Sequence, residues 1–279
     1  MRKGIILTLA ALMLALAVIG TIIPLYYDVI RFKIEDYRQR IEAYRLAAFR
    51  ENLKRELDHL AHECMDWSLN RNRCIPMDYR LKDLMDDVKK EIKEVFTRAL
   101  DEVADLVKEE YAMRYYVHVI VYQKRERVHA ILYVNATLCS SLGISFGIHC
   151  TEEGGSKARV ATMFQLRNEI FSRIKRLLRS MKSMKFCNKT LVKEYIRRRI
   201  RHIARSTSMK GIDVSLSYRV AVHNVSTLND ENILEVRVIL RRVTLRESGF
   251  MLNFVGSKLF STRIRLEKFT SEDGRVLCP

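Results

Sequence analysis

The chain has 279 residues, 48% of them apolar by type and 30% charged, with three Pro and ten Gly. That length suits one large domain or two small ones, and the composition excludes a disordered, collagen-like or low-complexity chain. Fifty Lys and Arg stand against 33 Asp and Glu, a formal charge of +17, which points to anionic partners and says nothing of fold.

From Ile5 to Tyr27 the chain carries no charge for 23 residues. As a helix that stretch rises about 34 Å, enough to cross a hydrocarbon core of about 30 Å. Tyr26 and Tyr27 close it as interfacial aromatics do. A cleaved secretory signal is the competing reading. Ala15-Leu16-Ala17 has the small-residue pattern, yet the apolar run continues well beyond it with no polar stretch before a cut. The sequence predicts a retained anchor over residues 1–27.

Two signals disagree on sidedness. Arg31, Lys33, Arg38, Arg40 and Arg45 come soon after the span, and a plain positive-inside count puts the large C-terminal part in the cytoplasm. Those cations are interleaved with Asp28, Glu35, Asp36 and Glu42, and long domains translocate despite flanking charge. All six cysteines (Cys64, Cys74, Cys139, Cys150, Cys187 and Cys278) come after the span, an even number that fits three disulfides in an oxidising compartment. Three N-x-S/T sequons, at Asn135, Asn188 and Asn224, point weakly the same way. The expectation is a large extracytoplasmic part. Six cysteines allow fifteen pairings; local pairing gives Cys64–Cys74 and Cys139–Cys150 and leaves Cys187 for Cys278. No C-x-x-C occurs, which disfavours a zinc ribbon or a thioredoxin-like site.

Residues 28–76 read as a helical stalk. Ile30, Ile34, Tyr37, Ile41, Tyr44 and Ala48 step by 4,3,4,3,4, and Leu53, Leu57, Leu60, Cys64 and Trp67 resume that rhythm. Membrane helix and stalk form one expected rod of about 60 residues, bent at Pro24. The seam either packs on the chain's own head or pairs with other copies.

Residues 77–155 form the first expected α+β unit. Leu81, Met85, Val88, Ile92, Val95, Ala99, Val103 and Leu106 make one stripe on a helix from 78 to 111, whose polar face is acidic. The period then changes from 3.6 to 2. Val117, Val119 and Val121 alternate with His118, Ile120 and Tyr122; across a turn at 124–127, Ala130, Leu132 and Val134 alternate with His129, Ile131 and Tyr133. Cys139 and Cys150 bracket a short strand at 144–148. Gly154-Gly155-Ser156 signals a loop, after which residues 156–279 form a second unit. Helices are predicted at 160–184 and 189–205, and strands at 212–224 and 233–246. Two further strands, 250–255 and 258–269, flank a tight hairpin at Gly256-Ser257. The fold class is α+β, with helices packed on antiparallel sheet in two related units.

Charge concentrates in one segment. Residues 157–210 hold 17 Lys and Arg against Glu169 and Glu194. Helical phasing puts Lys175, Arg176, Arg179 and Lys182 on one polar face and Arg197, Arg198, Arg201 and Arg205 on the next, a pattern that attracts nucleic acid, anionic glycan or lipid headgroups. The counter-reading is that the acidic helix, with 11 carboxylates against seven cations over 77–111, neutralises this face.

Catalytic signals are poor. His59, His62 and Glu63 lie together on the stalk without the H-E-x-x-H order. His118 and His129 read as part of a packed Tyr/His face. Gly143-Ile144-Ser145-Phe146-Gly147 lacks the strand–turn–helix context of a nucleophile elbow, and no phosphate-cradling Gly motif occurs. No enzyme activity, cofactor, metal or small-molecule substrate is expected.

The start, Arg2-Lys3-Gly4 followed by Ile5-Ile6-Leu7-Thr8-Leu9, resembles the class III signal of archaeal type IV pilin-like proteins. The resemblance covers about 65 residues and implies peptidase processing between Gly4 and Ile5, with Lys3 as the basic residue. It also implies an apolar helix that serves as anchor and assembly core beneath an external α+β head. Ile5 follows Gly4 where a polar residue is usual, and Leu9 stands where many pilins have Glu. The expected function is a membrane-anchored structural or adhesive surface protein that self-associates through anchor and stalk. A membrane-tethered polyanion-binding module is the alternative.

Overall fold

The computed structural model describes residues 2–184, 186, 188–208, 211–225 and 233–266, with backbone alone for 2–11. Anchor and stalk are one helix, α1 (Arg2–Asn70), unbroken through Pro24. At 1.5 Å per residue its 69 residues extend about 100 Å. It is the one helix among the described residues that is long and apolar enough to span a bilayer, with a mean hydropathy of 1.9 and no burial in its most apolar window.

The remaining elements are β1 (Arg73–Pro76), α2 (Leu81–Val107), β2 (Tyr111–Lys124), β3 (Arg127–Ser140), β4 (Ser145–Gly155), α3 (Val160–Ser180), α4 (Lys189–Thr207), β5 (Asp213–Val225), β6 (Ile233–Glu247) and β7 (Phe250–Arg265). Three strands form a sheet in the order β2-β3-β4, and four form another in the order β1-β7-β6-β5. The chain is α+β, as its periodicities predict. Strand β1 pairs in parallel with β7, Arg73 opposite Leu252 and Pro76 opposite Val255, a non-local pairing that no sequence pattern announces.

Contacts group the chain into two compact units. The first comprises residues 1–58, 99–116 and 134–150, and the second 59–98, 117–133 and 151–279. In the first, Leu46, Leu53, Leu57, Leu100, Val134, Ala136, Leu138 and Ile148 are buried. Phe49 stacks on Tyr111 at 5.7 Å between ring centres. In the second, α3 buries Ile170, Ile174 and Leu178, and α4 buries Val192, Ile196, Ile200 and Ile203. They pack on β7 and β5 respectively, against a sheet face that contributes Val236, Val238, Leu240, Val243, Leu245 and Phe254.

Several expectations are corrected. The stalk seam divides: Leu53, Leu57 and Cys64 are buried, whereas Ile34, Tyr37, Ile41 and Tyr44 stay 60%, 68%, 54% and 78% exposed and Trp67 51%. On α2 the buried line is Leu84, Val88, Ile92, Phe96 and Leu100, while Leu106 is exposed. The turn after β2 is the two residues Arg125 and Glu126, Arg125 with φ of 57°. The expected hairpin at Gly256-Ser257 is instead an irregularity inside the continuous β7, where the register jumps from Leu240–Lys258 to Arg242–Val255. The hairpin lies at Ser248-Gly249, both with positive φ (49° and 84°), the geometry of a two-residue primed turn. Gly154 and Gly155 end β4 rather than forming a loop. A Cβ at Gly154 would sit 3.1 Å from the Met65 methyl, and one at Gly155 would sit 2.9 Å from the His129 ring. Close approach, not a turn, needs glycine there.

The local disulfides are also corrected. The buried residues of β3 are its even-numbered ones from Val128 to Ser140, which puts Cys139 on the other face; Cys150 is buried on its own strand beside Ile148. A sheet's pleat holds such residues on opposite sides, so these two are not joined. Cys64 is a buried thiol whose pKa is raised by that burial, and Cys74 is an exposed thiol that accepts a 3.6 Å hydrogen bond from Asn253. Cys187 and Cys278 lie outside the described residues.

Candidate basic ligand-binding surface

All eight cations singled out by helical phasing are exposed. Among the described residues only Arg198 meets a carboxylate, Glu194 at 3.9 Å one turn back on the same helix. The acidic face of α2 does not neutralise them. Its Glu91 holds Arg71 and Arg73 at 2.8 Å each, its Asp87 and Asp101 accept hydrogen bonds from Tyr79 and Tyr115, and its Glu94 pairs with Lys90.

Helix α3 sends its cations in two directions. Lys175 and Arg179 turn toward β7 and, with Lys182 from the turn that follows the helix and Lys258, Leu178, Phe260 and Thr262, line a cleft of about 410 Å³. Arg176 turns the other way, into a groove of about 670 Å³ beside α4 that Arg173, Tyr195, Arg199 and His202 also line. Within this groove Arg173 donates to Glu169 at 2.9 Å and to Ser206 at 2.8 Å, which ties the two helices together, and Arg199 donates to Tyr195 at 3.3 Å. Arg197, Arg198, Arg201 and Arg205 lie exposed along α4. Asn188 caps that helix by accepting the Leu191 N–H at 2.9 Å.

Sequence reasoning missed a second basic surface. The face of the four-stranded sheet opposite α3 and α4 carries Arg219, Arg237, Arg242 and Arg263, all exposed among the described residues, around the partly buried Ile239 and the 57% exposed Leu259. Register lines up Ala221, Arg237 and Ser261, and then Arg219, Ile239 and Leu259. Glu235 partners Arg237 at 2.8 Å. Reading alternate residues of the two long strands would have found this set, because every second position is apolar.

The histidine candidates hold no constellation. His59 faces Glu63 at 3.7 Å and His62 faces Glu152 at 3.2 Å, all but Glu152 well exposed; no group of three metal-ligating side chains occurs among the described residues. Tyr122 stacks on His129 at 5.5 Å, and His118 lies tilted 6.3 Å from Tyr133, so the Tyr/His face is a packed surface. The sequon residues Asn135, Asn188 and Asn224 are all exposed. Lys3, Gly4 and Ile5 fall in the first turns of α1.

No family model matches the chain, and neither the curated proteins nor the solved structures contain a significant match.

Proposed function

We propose that the chain is a membrane-anchored adhesive module whose head binds anionic polymers through α3 and α4. The observation that carries this reading is the lack of carboxylate partners for seven of the eight exposed cations, among the described residues. Exposed cations without protein partners keep their full field for a ligand, and a phosphate- or sulfate-bearing chain gains by releasing its counterions. The anchor in this proposal is α1, and the head lies on the extracytoplasmic side. Three exposed sequon asparagines support that side; the cysteine argument is weaker than its count suggests, because Cys139 and Cys150 lie on opposite faces.

The test uses the full chain in zwitterionic lipid nanodiscs at low salt. Binding to heparin and to duplex DNA is compared with that of the triple variant Arg197→Gln, Arg198→Gln, Arg201→Gln. The proposal expects a loss of at least about tenfold; equal binding by the two proteins would refute it.

One observation favours a second reading, a pilin-like subunit cut between Gly4 and Ile5. The seam Ile34, Tyr37, Ile41 and Tyr44 is exposed at coiled-coil spacing. In a parallel pair, however, that register sets Lys33 against the partner's Arg38 and Arg40 against the partner's Arg45, like charge on like. Pairing should therefore strengthen as salt rises, whereas polymer binding weakens. Cross-linking of an Ile34→Cys variant across a salt series separates the two readings, and Gly4→Leu should block trimming if the pilin-type cut occurs.

A further inference from the structure

Beyond a generally basic surface, we infer that the cleft between α3 and β7 is a built site for a single phosphomonoester group, with the Thr262 hydroxyl as its buried donor. This rests on the anion-binding reading and names the group that the cleft selects.

Strand β7 is paired with β1 only as far as Val255, so from Gly256 onward it is an edge among the described residues. Helix α3 runs beside that edge, and the cleft opens between them. Lys175, Arg179 and Lys182 come from the end of α3 and its following turn, and Lys258 from the strand. None of the four meets a carboxylate among the described residues. The Lys258 ammonium sits 5.7 Å over the Phe171 ring, which orients it while leaving its donors available.

Thr262 is the telling residue. It lies on the helix-facing side of β7 in the alternation Phe260, Thr262, Ile264, where valine would pack equally well. It is 8% exposed, yet its Oγ1 has no hydrogen-bond partner among the described residues. Buried hydroxyls in folded proteins are nearly always paired, so an unpartnered one in the wall of a cationic cleft marks a place for an acceptor. Turned toward the cleft by rotation about χ1, that hydroxyl can donate to an oxyanion while four cations neutralise it.

The donor set favours a phosphomonoester over a carboxylate. Three of the four cations are lysines, point charges reaching in from two elements, and a tetrahedral dianion offers acceptors in all those directions. A planar carboxylate suits an arginine fork, and Arg179 is the one guanidinium here. The volume of about 410 Å³ and the Leu178 and Phe260 walls leave room for a small organic part beside the phosphoryl group.

The experiment titrates the full chain in zwitterionic nanodiscs with inorganic phosphate and with glucose 6-phosphate, by calorimetry, and repeats it with phosphatidic acid in the nanodisc. Saturable binding is expected in at least one arm. A free-ester signal identifies a soluble source, and a signal confined to the phosphatidic acid arm identifies the lipid headgroup. Thr262→Val should weaken that binding at least about tenfold, the loss of one hydrogen bond to a charged group. Thr262→Ser should restore most of it, and heparin binding should stay at the wild-type level in both variants. Because Oγ1 has no partner among the described residues, the ligand-free valine variant should melt no lower than wild type. Lys258→Met provides a second variant with the same expected loss. No binding in any arm, or wild-type affinity in Thr262→Val and Lys258→Met, overturns the site. Heparin binding that survives such a result leaves the polymer reading standing, and phosphomonoester binding without heparin binding does the reverse.

Discussion

Two groups of cations in the second compact unit carry the same charge in opposite circumstances. In one, Arg71 and Arg73 share Glu91 at 2.8 Å each, with the Arg73 and Glu91 side chains only 9% and 15% exposed, and Arg159 grips Glu247 at 2.6 Å. In the other, the eight exposed cations Lys175, Arg176, Arg179, Lys182, Arg197, Arg198, Arg201 and Arg205 meet a single carboxylate among the described residues, Glu194 at 3.9 Å from Arg198. The first set is sealed by geometry that joins distant parts of the chain: Arg73 on β1 to α2, and Arg159 before α3 to the last residue of β6. The second joins nothing. A basic chain can therefore use its guanidinium groups as internal ties or keep them for a ligand, and the partners each group meets separate the two uses where sequence charge counts cannot.

The sharpest way to break this distinction is to remove a shared partner. Glu91→Ala leaves the enclosed Arg73 guanidinium, and the 39% exposed Arg71 beside it, without their carboxylate and should cost about 3 kcal/mol in urea denaturation. A loss below about 1 kcal/mol would place Arg71 and Arg73 with the solvated set. The opposite arm is the triple glutamine variant on α4. It should shift stability by no more than about 0.5 kcal/mol per site while lowering polymer affinity at least about tenfold. A destabilisation comparable to that of Glu91→Ala would make the α4 cations structural.

A smaller effect concerns the carboxylates of α2, which serve their own neighbours. Tyr79, through burial and then its hydrogen bond to Asp87, and Tyr115, through its hydrogen bond to Asp101 and then burial, are both pushed up to about 12 from an ordinary value of 10. The fold thus favours the neutral phenols. Their contribution is complete below pH about 10 and is lost as pH rises through about 12. Alkaline melts followed with phenolate absorbance should show that loss, and Tyr115→Phe should flatten it; an unchanged alkaline limb would mean that Asp101 is not so engaged. The smallest effect is expected for Arg198→Ala, whose exposed pair with Glu194 should be worth less than about 0.5 kcal/mol in the same melts.

Much of the fold was legible because periodicity is local. The 4,3 stepping marked α1, the change to period 2 marked β2 and β3, and the Val/Leu alternation marked β5 and β6. What failed was non-local or depended on strand parity. Gly256 looked like a turn, yet Ser248-Gly249 closes the hairpin and Gly256 relieves a register jump. Cys139 and Cys150 looked like a local pair, but the number of residues between them puts one on each side of the sheet. The basic helices were legible from composition and phasing. The division of α3 into a β7-facing edge with Lys175 and an α4-facing edge with Arg176 was not, because it depends on what packs either side. Lys258 and Thr262 were invisible for the same reason: nothing in the string Lys258-Leu259-Phe260-Ser261-Thr262 says that α3 lies alongside.

The central claim, that α3 and α4 present an unneutralised surface to an anionic polymer, is tested most directly by salt dependence. The full chain in zwitterionic nanodiscs is titrated with duplex DNA across a salt series, beside the Arg197, Arg198 and Arg201 glutamine triple variant. The account predicts a slope of log affinity against log salt of about −4 or steeper, reduced in magnitude by about three in the variant. A shallow slope, or the same slope in both proteins, would contradict it.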